Sequence, residues 1–173
     1  MTFHWTAMRR LHKLWTAKQY EDLILFCNLM LSKSPTDYLA FYYRGLANGE
    51  LKQFDLAIDD FKTSETLLTT YKRKTLLKEY FTRIPIQLSG VYRKMRNKEK
   101  ALEYADKAVL ADSKEIDGLK WRATLKEDFG NYIGASEDLN EALKRRPKDK
   151  TLLKLRDRLT FIIIEDKRET ASR

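Results

Sequence analysis

Cysteine, proline and glycine are scarce in this chain, numbering one, three and six among 173 residues. A lone Cys27 cannot close an internal disulfide and leaves no cysteine-based metal site, so the sequence suits a reducing compartment. Within LILFCNLML it reads as a small buried apolar residue. So few Gly and Pro residues supply too little material for the many tight turns of an all-β fold. Long apolar runs are missing too: Phe161–Ile164 is far too short to span a bilayer. The opening MTFHWTAMRRLHKLW carries charges and no apolar stretch of signal-peptide length, and the expectation is a soluble cytoplasmic protein. The two histidines, His4 and His12, sit eight apart on a predicted first helix and lack the third ligand a metal requires. Phosphate-loop, nucleophile-elbow, HExxH and EF-hand patterns are all absent, so neither catalysis nor a cofactor is expected.

Apolar residues, in contrast, make up 43% of the chain and aromatic residues 12%, enough to offset the entropy of ordering and to argue against disorder. The net charge of +9 is concentrated: residues 71–100 hold ten basic and two acidic residues, an excess of eight. That is a patch rather than a uniformly basic protein. The acidic pairs Asp59-Asp60, Glu127-Asp128 and Glu137-Asp138 fall on helical segments and read as solvated faces.

Internal periodicity organises the rest. RNKEKALEYADKAV (96–109) aligns without gaps on GNYIGASEDLNEAL (130–143) at a spacing of 34, setting Ala101 on Ala135, Ala108 on Ala142 and Asn97 on Asn131. KQFDLAIDDFKTSE puts Ala57 in the same role, and KQYEDLILFCNLML puts Leu23 there. Within each segment apolar residues recur three and four apart, as in Leu56, Ile58 and Phe61, which is the helical period.

In these residues the chain resembles the tetratricopeptide repeat family. YLAFYYRGLANGELKQFDLAIDDFKTSETLL carries the family's small residue at Gly45, aromatic at Phe54, alanine at Ala57, bulky apolar residue at Phe61 and second small residue at Ser64. Four degenerate units run over about 4–37, 38–71, 82–115 and 116–149. The first has Leu11 and Leu23 where small residues belong, and the third has Lys98 in place of the aromatic. The resemblance implies an all-α fold, a single domain over 1–173 built as a right-handed superhelical stack of antiparallel helix hairpins.

Two departures from the pattern stand out. Ala57 and Ala101 are 44 apart rather than 34. The excess, near 72–81, either lengthens the helices on both sides or inserts a short one, and Pro85 favours a helix start or a kink nearby. After Pro147 the segment 150–168 reads as an amphipathic capping helix in which Leu152, Leu155, Leu159 and Ile162 face the last hairpin.

The family's register further implies a concave groove lined by the first helix of each hairpin. It assigns there Trp5, Arg9, His12 and Trp15 from the first unit and Tyr42 and Tyr43 from the second. Arg83, Gln87, Arg93 and Lys94 come from the third unit and Trp121 from the fourth. Trp and Tyr offer large contact areas at low entropic cost, and Arg pairs with carboxylates. Trp5, Trp15, Tyr42 and Tyr43 equally fit a role packed against neighbouring helices. The two-carboxylate clamp of the chaperone-binding subclass maps onto Met8, His12, Tyr43, Arg83 and Gln87, of which Arg83 alone keeps the chemistry, so the sequence argues against a chaperone-tail adaptor. The expected function is an adaptor or scaffold that binds a peptide or helix of another protein, with an acidic segment suited to the basic residues. The alternative is nucleic acid or another anionic surface on residues 71–100, where Tyr71, Tyr80, Phe81 and Tyr92 interleave the charges. Pairing of two copies through the insertion or through Phe161–Ile164 is a third option.

Overall fold

The structure is a computed structural model that describes residues 2–70, 78–111 and 116–171. Among these residues the chain forms nine helices and no strand: α1 Thr2–Thr16, α2 Tyr20–Lys33, α3 Tyr38–Glu50, α4 Phe54–Thr70, α5 Lys78–Lys94, α6 Lys98–Ala111, α7 Asp117–Asp128, α8 Tyr132–Arg145 and α9 Lys150–Ala171. They group into two compact units, Met1–Val91 and Tyr92–Arg173, with the boundary inside α5.

The turn inside each hairpin is the same device four times. Lys18, Lys52, Arg96 and Gly130 each adopt a left-handed backbone conformation, with φ of 56°, 62°, 59° and 76°. The intervals between them are 34, 44 and 34, the periodicity of the sequence. Glycine occupies one of the four, so the other three hold the turn at a steric cost set by their Cβ atoms. Polar caps start the helices that follow. Asp37 accepts from Leu39 N and Ala40 N at 3.0 and 3.2 Å to open α3. Asn131 accepts from Gly134 N at 2.9 Å, and Asp149 from Thr151 N and Leu152 N at 2.9 and 3.1 Å. Each carboxylate or amide oxygen satisfies donors that no helical carbonyl can reach.

The first unit is centred on Leu11, Leu23, Cys27, Ala40 and Ala47. Leu11 and Leu23, which stand where the family pattern has small residues, are fully buried. Burial also pushes the Cys27 thiol up to about 12, so it stays protonated. In the second unit Ile116, Leu119, Ala135, Leu139 and Leu143 form a core that Leu152 and Leu159 of α9 complete, with Leu155 and Ile162 packed against it. This is the capping role expected of the segment 150–168. Close approach of α6 and α7 requires Gly118, where a Cβ would lie 2.7 Å from the Ala108 carbonyl oxygen. Ion pairs add to the second unit: Arg158 of α9 meets Glu127 of α7 at 2.6 Å.

Around the ten-residue excess, α4 and α5 each reach 17 residues where α6 has 14 and α7 has 12. Lengthening on both sides is therefore present, while 71–77 lie outside the described residues. Pro85 does not start a helix. It sits inside α5, seven residues after the start at Lys78. Proline there removes one backbone donor.

Candidate functional site

The residues that the sequence assigns to a groove all lie on α1, α3, α5 and α7. Arg9 and His12 are exposed on α1, and Trp15 is half-buried with its ring 5.7 Å from that of Tyr20. The side chain of Trp5 lies outside the described residues. On α3, Tyr43 is half-buried and Tyr42 is buried at 5% exposure. Tyr42 meets Tyr43 edge-on at 5.6 Å, Tyr80 edge-on at 5.3 Å and Phe61 at 5.9 Å. It supports its neighbours and has little surface of its own to offer. Burial raises the phenols of Tyr42, Tyr43 and Tyr80, with Arg83 opposing the shift in each case, and Tyr80 reaches about 12. All three are neutral hydrogen-bonding groups at physiological pH.

The basic residues carry counter-charges. Arg83 is exposed, pairs with Glu79 at 3.2 Å one helical turn away, and stands 5.8 Å from the Tyr80 ring centroid. Arg93 pairs with Asp128 at 2.5 Å and lies 5.9 Å above the Trp121 ring. Gln87 is half-buried and Lys94 exposed. The structure therefore brings Tyr42, Tyr43 and Arg83 together in the first compact unit and Arg93 and Trp121 together in the second. An exposed ion pair contributes on the order of 1 kcal/mol or less. Even so, Glu79 and Asp128 offset the positive field that a bare reading of residues 71–100 gives, and 71–77 are not described.

The acidic pairs need correction. Asp60 and Asp138, read from sequence as part of solvated faces, are buried at 5% and 4% exposure. Each is held by an arginine sixteen residues upstream, on the preceding helix. Arg44 donates through Nη2 to Asp60 Oδ1 at 2.7 Å and through Nε to Oδ2 at 3.1 Å, while Nη1 reaches Asn28 Oδ1 at 2.6 Å. Arg122 donates through Nη2 to Asp138 Oδ1 at 2.6 Å and through Nε to Oδ2 at 2.9 Å, while Nη1 reaches Asp106 Oδ1 at 2.7 Å. One guanidinium thus ties together three successive helices, α2 to α4 in one case and α6 to α8 in the other, with the two-pronged geometry that a planar fork gives to a carboxylate. Asn48 Nδ2 also donates to Asp60, at 2.9 Å, and Lys126 Nζ pairs with Asp138 at 2.9 Å. Burial pushes the Asp60 carboxyl above its ordinary value, against the pull of Arg44 and Asn48.

The signal for these bridges is present in the sequence. Asn28, Arg44 and Asp60 recur as Asp106, Arg122 and Asp138 at an offset of 78, the interval between the turns of the second and fourth hairpins. At the register of Arg44, Asn48 and Asp60 the first hairpin has Arg10, Leu14 and Phe26, and the Arg10 guanidinium lies 4.5 Å from the Phe26 ring centroid. The third has Leu88, Tyr92 and Tyr104, and the rings of the two tyrosines stack at 5.4 Å. Among the described residues, no group of three or more His, Cys, Asp or Glu could hold a metal, and no helix is long and apolar enough to cross a membrane.

Comparison with known proteins agrees with this architecture. The family model described as tetratricopeptide repeat matches residues 86–115. No curated protein sequence matches. Among solved structures, MamA 41-end from Desulfovibrio magneticus RS-1 is similar with a TM-score of 0.64 at 17% identity, over 83% of this chain and 76% of that one. The first TPR of Spaghetti (RPAP3) bound to the HSP90 peptide SRMEEVD gives 0.58 at 13% identity, over 73% of this chain and 95% of that one. YrrB, described as a TPR protein with an unusual peptide-binding site, gives 0.60 at 14% identity, over 88% and 74%. At these identities the likeness is one of fold.

Proposed function

We propose that this chain, a tetratricopeptide-repeat protein, is an interaction adaptor that holds a peptide or helical segment of another protein on the aromatic–arginine pairs found within each compact unit. The observation that carries the reading is the pairing of half-buried aromatic rings with arginines in each compact unit: Tyr43 with Arg83 nearby, and Trp121 under Arg93. Half-buried rings keep their position without a ligand and still have area to bury with one. The arginines, already held by Glu79 and Asp128, can exchange an intramolecular carboxylate for an intermolecular one at small net cost. Such an exchange selects an acidic residue beside an apolar anchor. Two proteins of the same fold support the reading: the Spaghetti domain is bound to an HSP90 peptide, and YrrB has a peptide-binding site.

The test is capture of partners on the immobilised protein, quantified by mass spectrometry for the wild type and for Tyr43→Ser and Trp121→Ala. Partners that survive 0.5 M salt on the wild type and are lost from both variants are the expected result. Binding that collapses with salt and survives both substitutions removes the groove reading, because aromatic burial is weakly salt-dependent whereas phosphate contacts are steeply so.

A further inference from the structure

The bridge of the second and fourth hairpins is broken in the first. Arg10 occupies the register of Arg44 and Arg122, but the carboxylate position is Phe26, and Leu14 stands where Asn48 and Lys126 add a further donor. The guanidinium rests on the Phe26 ring, 4.5 Å from its centroid. A ring face attracts the cation but accepts none of its in-plane N–H bonds. Beside Arg10, Arg9 and Lys13 follow on the exposed side of α1, and among the described residues neither has an acidic partner. The three cations, with Thr6, Leu14 and Gln19, line an open cleft of about 760 Å³.

We infer that this cleft on α1 is a second recognition site, which takes a carboxylate side chain from an acidic segment of a partner protein onto Arg10, Arg9 and Lys13. The partner's Asp or Glu supplies to Arg10 what Asp60 supplies to Arg44. Phe26 holds the guanidinium in place before the ligand arrives, so little rotamer freedom is lost on binding. Leu14 gives the floor an apolar patch for a neighbouring aliphatic residue. A nucleic-acid strand fits less well, because none of the six lining residues is aromatic and a base has no ring to stack on. The site is separate from the α3, α5 and α7 residues of the preceding reading and does not depend on them.

Fluorescence anisotropy with the full chain tests the inference. The probe is a fluorescein-labelled Leu-Glu-Glu-Asp-Leu-Glu peptide, and the competitors are the same peptide with Gln and Asn for the acids and a twelve-nucleotide oligothymidine. Saturable binding of the acidic peptide is expected, with roughly threefold to tenfold weakening for each of Arg10→Gln and Lys13→Gln. Phe26→Asp, which restores the internal carboxylate, weakens it by a similar factor. Since Phe26 is half-buried, Arg10→Gln and Lys13→Gln on exposed side chains decide the matter if that variant misfolds. Lys144→Gln, an exposed cation on α8 outside both sites, leaves the affinity unchanged, which separates this site from a general effect of charge. The inference is overturned if the peptide does not bind, if both α1 variants bind as the wild type does, or if oligothymidine competes as well as the acidic peptide.

Discussion

The first and fourth hairpins place different chemistry at the same three register positions, Arg10, Leu14 and Phe26 in one and Arg122, Lys126 and Asp138 in the other. In the fourth, Asp138 is buried and shared by two cations at 2.6 and 2.9 Å, and Arg122 reaches on to Asp106 in the helix before. The hydrogen bonds that Arg122 donates to Asp138 and Asp106 push its guanidinium further up from an already high value, so its charge is permanent. In the first hairpin the cation lies over an aromatic face, with no ion pair among the described residues. The same backbone position thus serves cohesion in one hairpin and leaves binding capacity at the surface in the other. A repeat fold permits this because each register position is reused in a fresh environment while the backbone contacts stay the same.

Removing Asp138 is the strongest way to break the contrast. Asp138→Ala leaves Arg122 and Lys126 partly buried without their shared carboxylate, and a loss of about 2–4 kcal/mol in chemical denaturation is expected. Asp60→Ala should cost less, about 1–3 kcal/mol, because Arg44 loses its carboxylate while Asn48 loses a single neutral donor's partner. A larger loss for Asp60 than for Asp138 would show that the second cation on Asp138 adds nothing. Arg10→Gln is the smallest of the three, within about 1 kcal/mol, since an exposed cation–π contact is all it removes. If Arg10→Gln destabilises as much as Asp138→Ala, Arg10 is a structural bridge after all and the contrast between the hairpins disappears.

The repeat and its helices were legible because their causes are local. Alanines at fixed intervals mark where helices cross, and Gly130 marks a left-handed turn that Lys18, Lys52 and Arg96 share with it in the structure. The cap helix was legible for the same reason: Leu152 and Leu159 lie a whole number of turns apart and meet the core together. The acidic residues were misread because Asp60 and Glu137 look alike in a helical wheel drawn without neighbours. What buries Asp60 and leaves Glu137 exposed is the helix sixteen residues earlier. For Tyr42, which the sequence leaves between groove and packing, three rings from α3, α4 and α5 supply the enclosure.

By itself the sequence determined the helical class, the interval of the hairpins and the closing amphipathic helix, all consequences of spacing along one chain. Tertiary structure decided which charges are matched. Arg44 and Arg122 find buried carboxylates, Arg93 finds Asp128, and Arg10 finds a ring. Charge pairing depends on distances of a few ångströms between helices, and no periodicity within one helix encodes those distances.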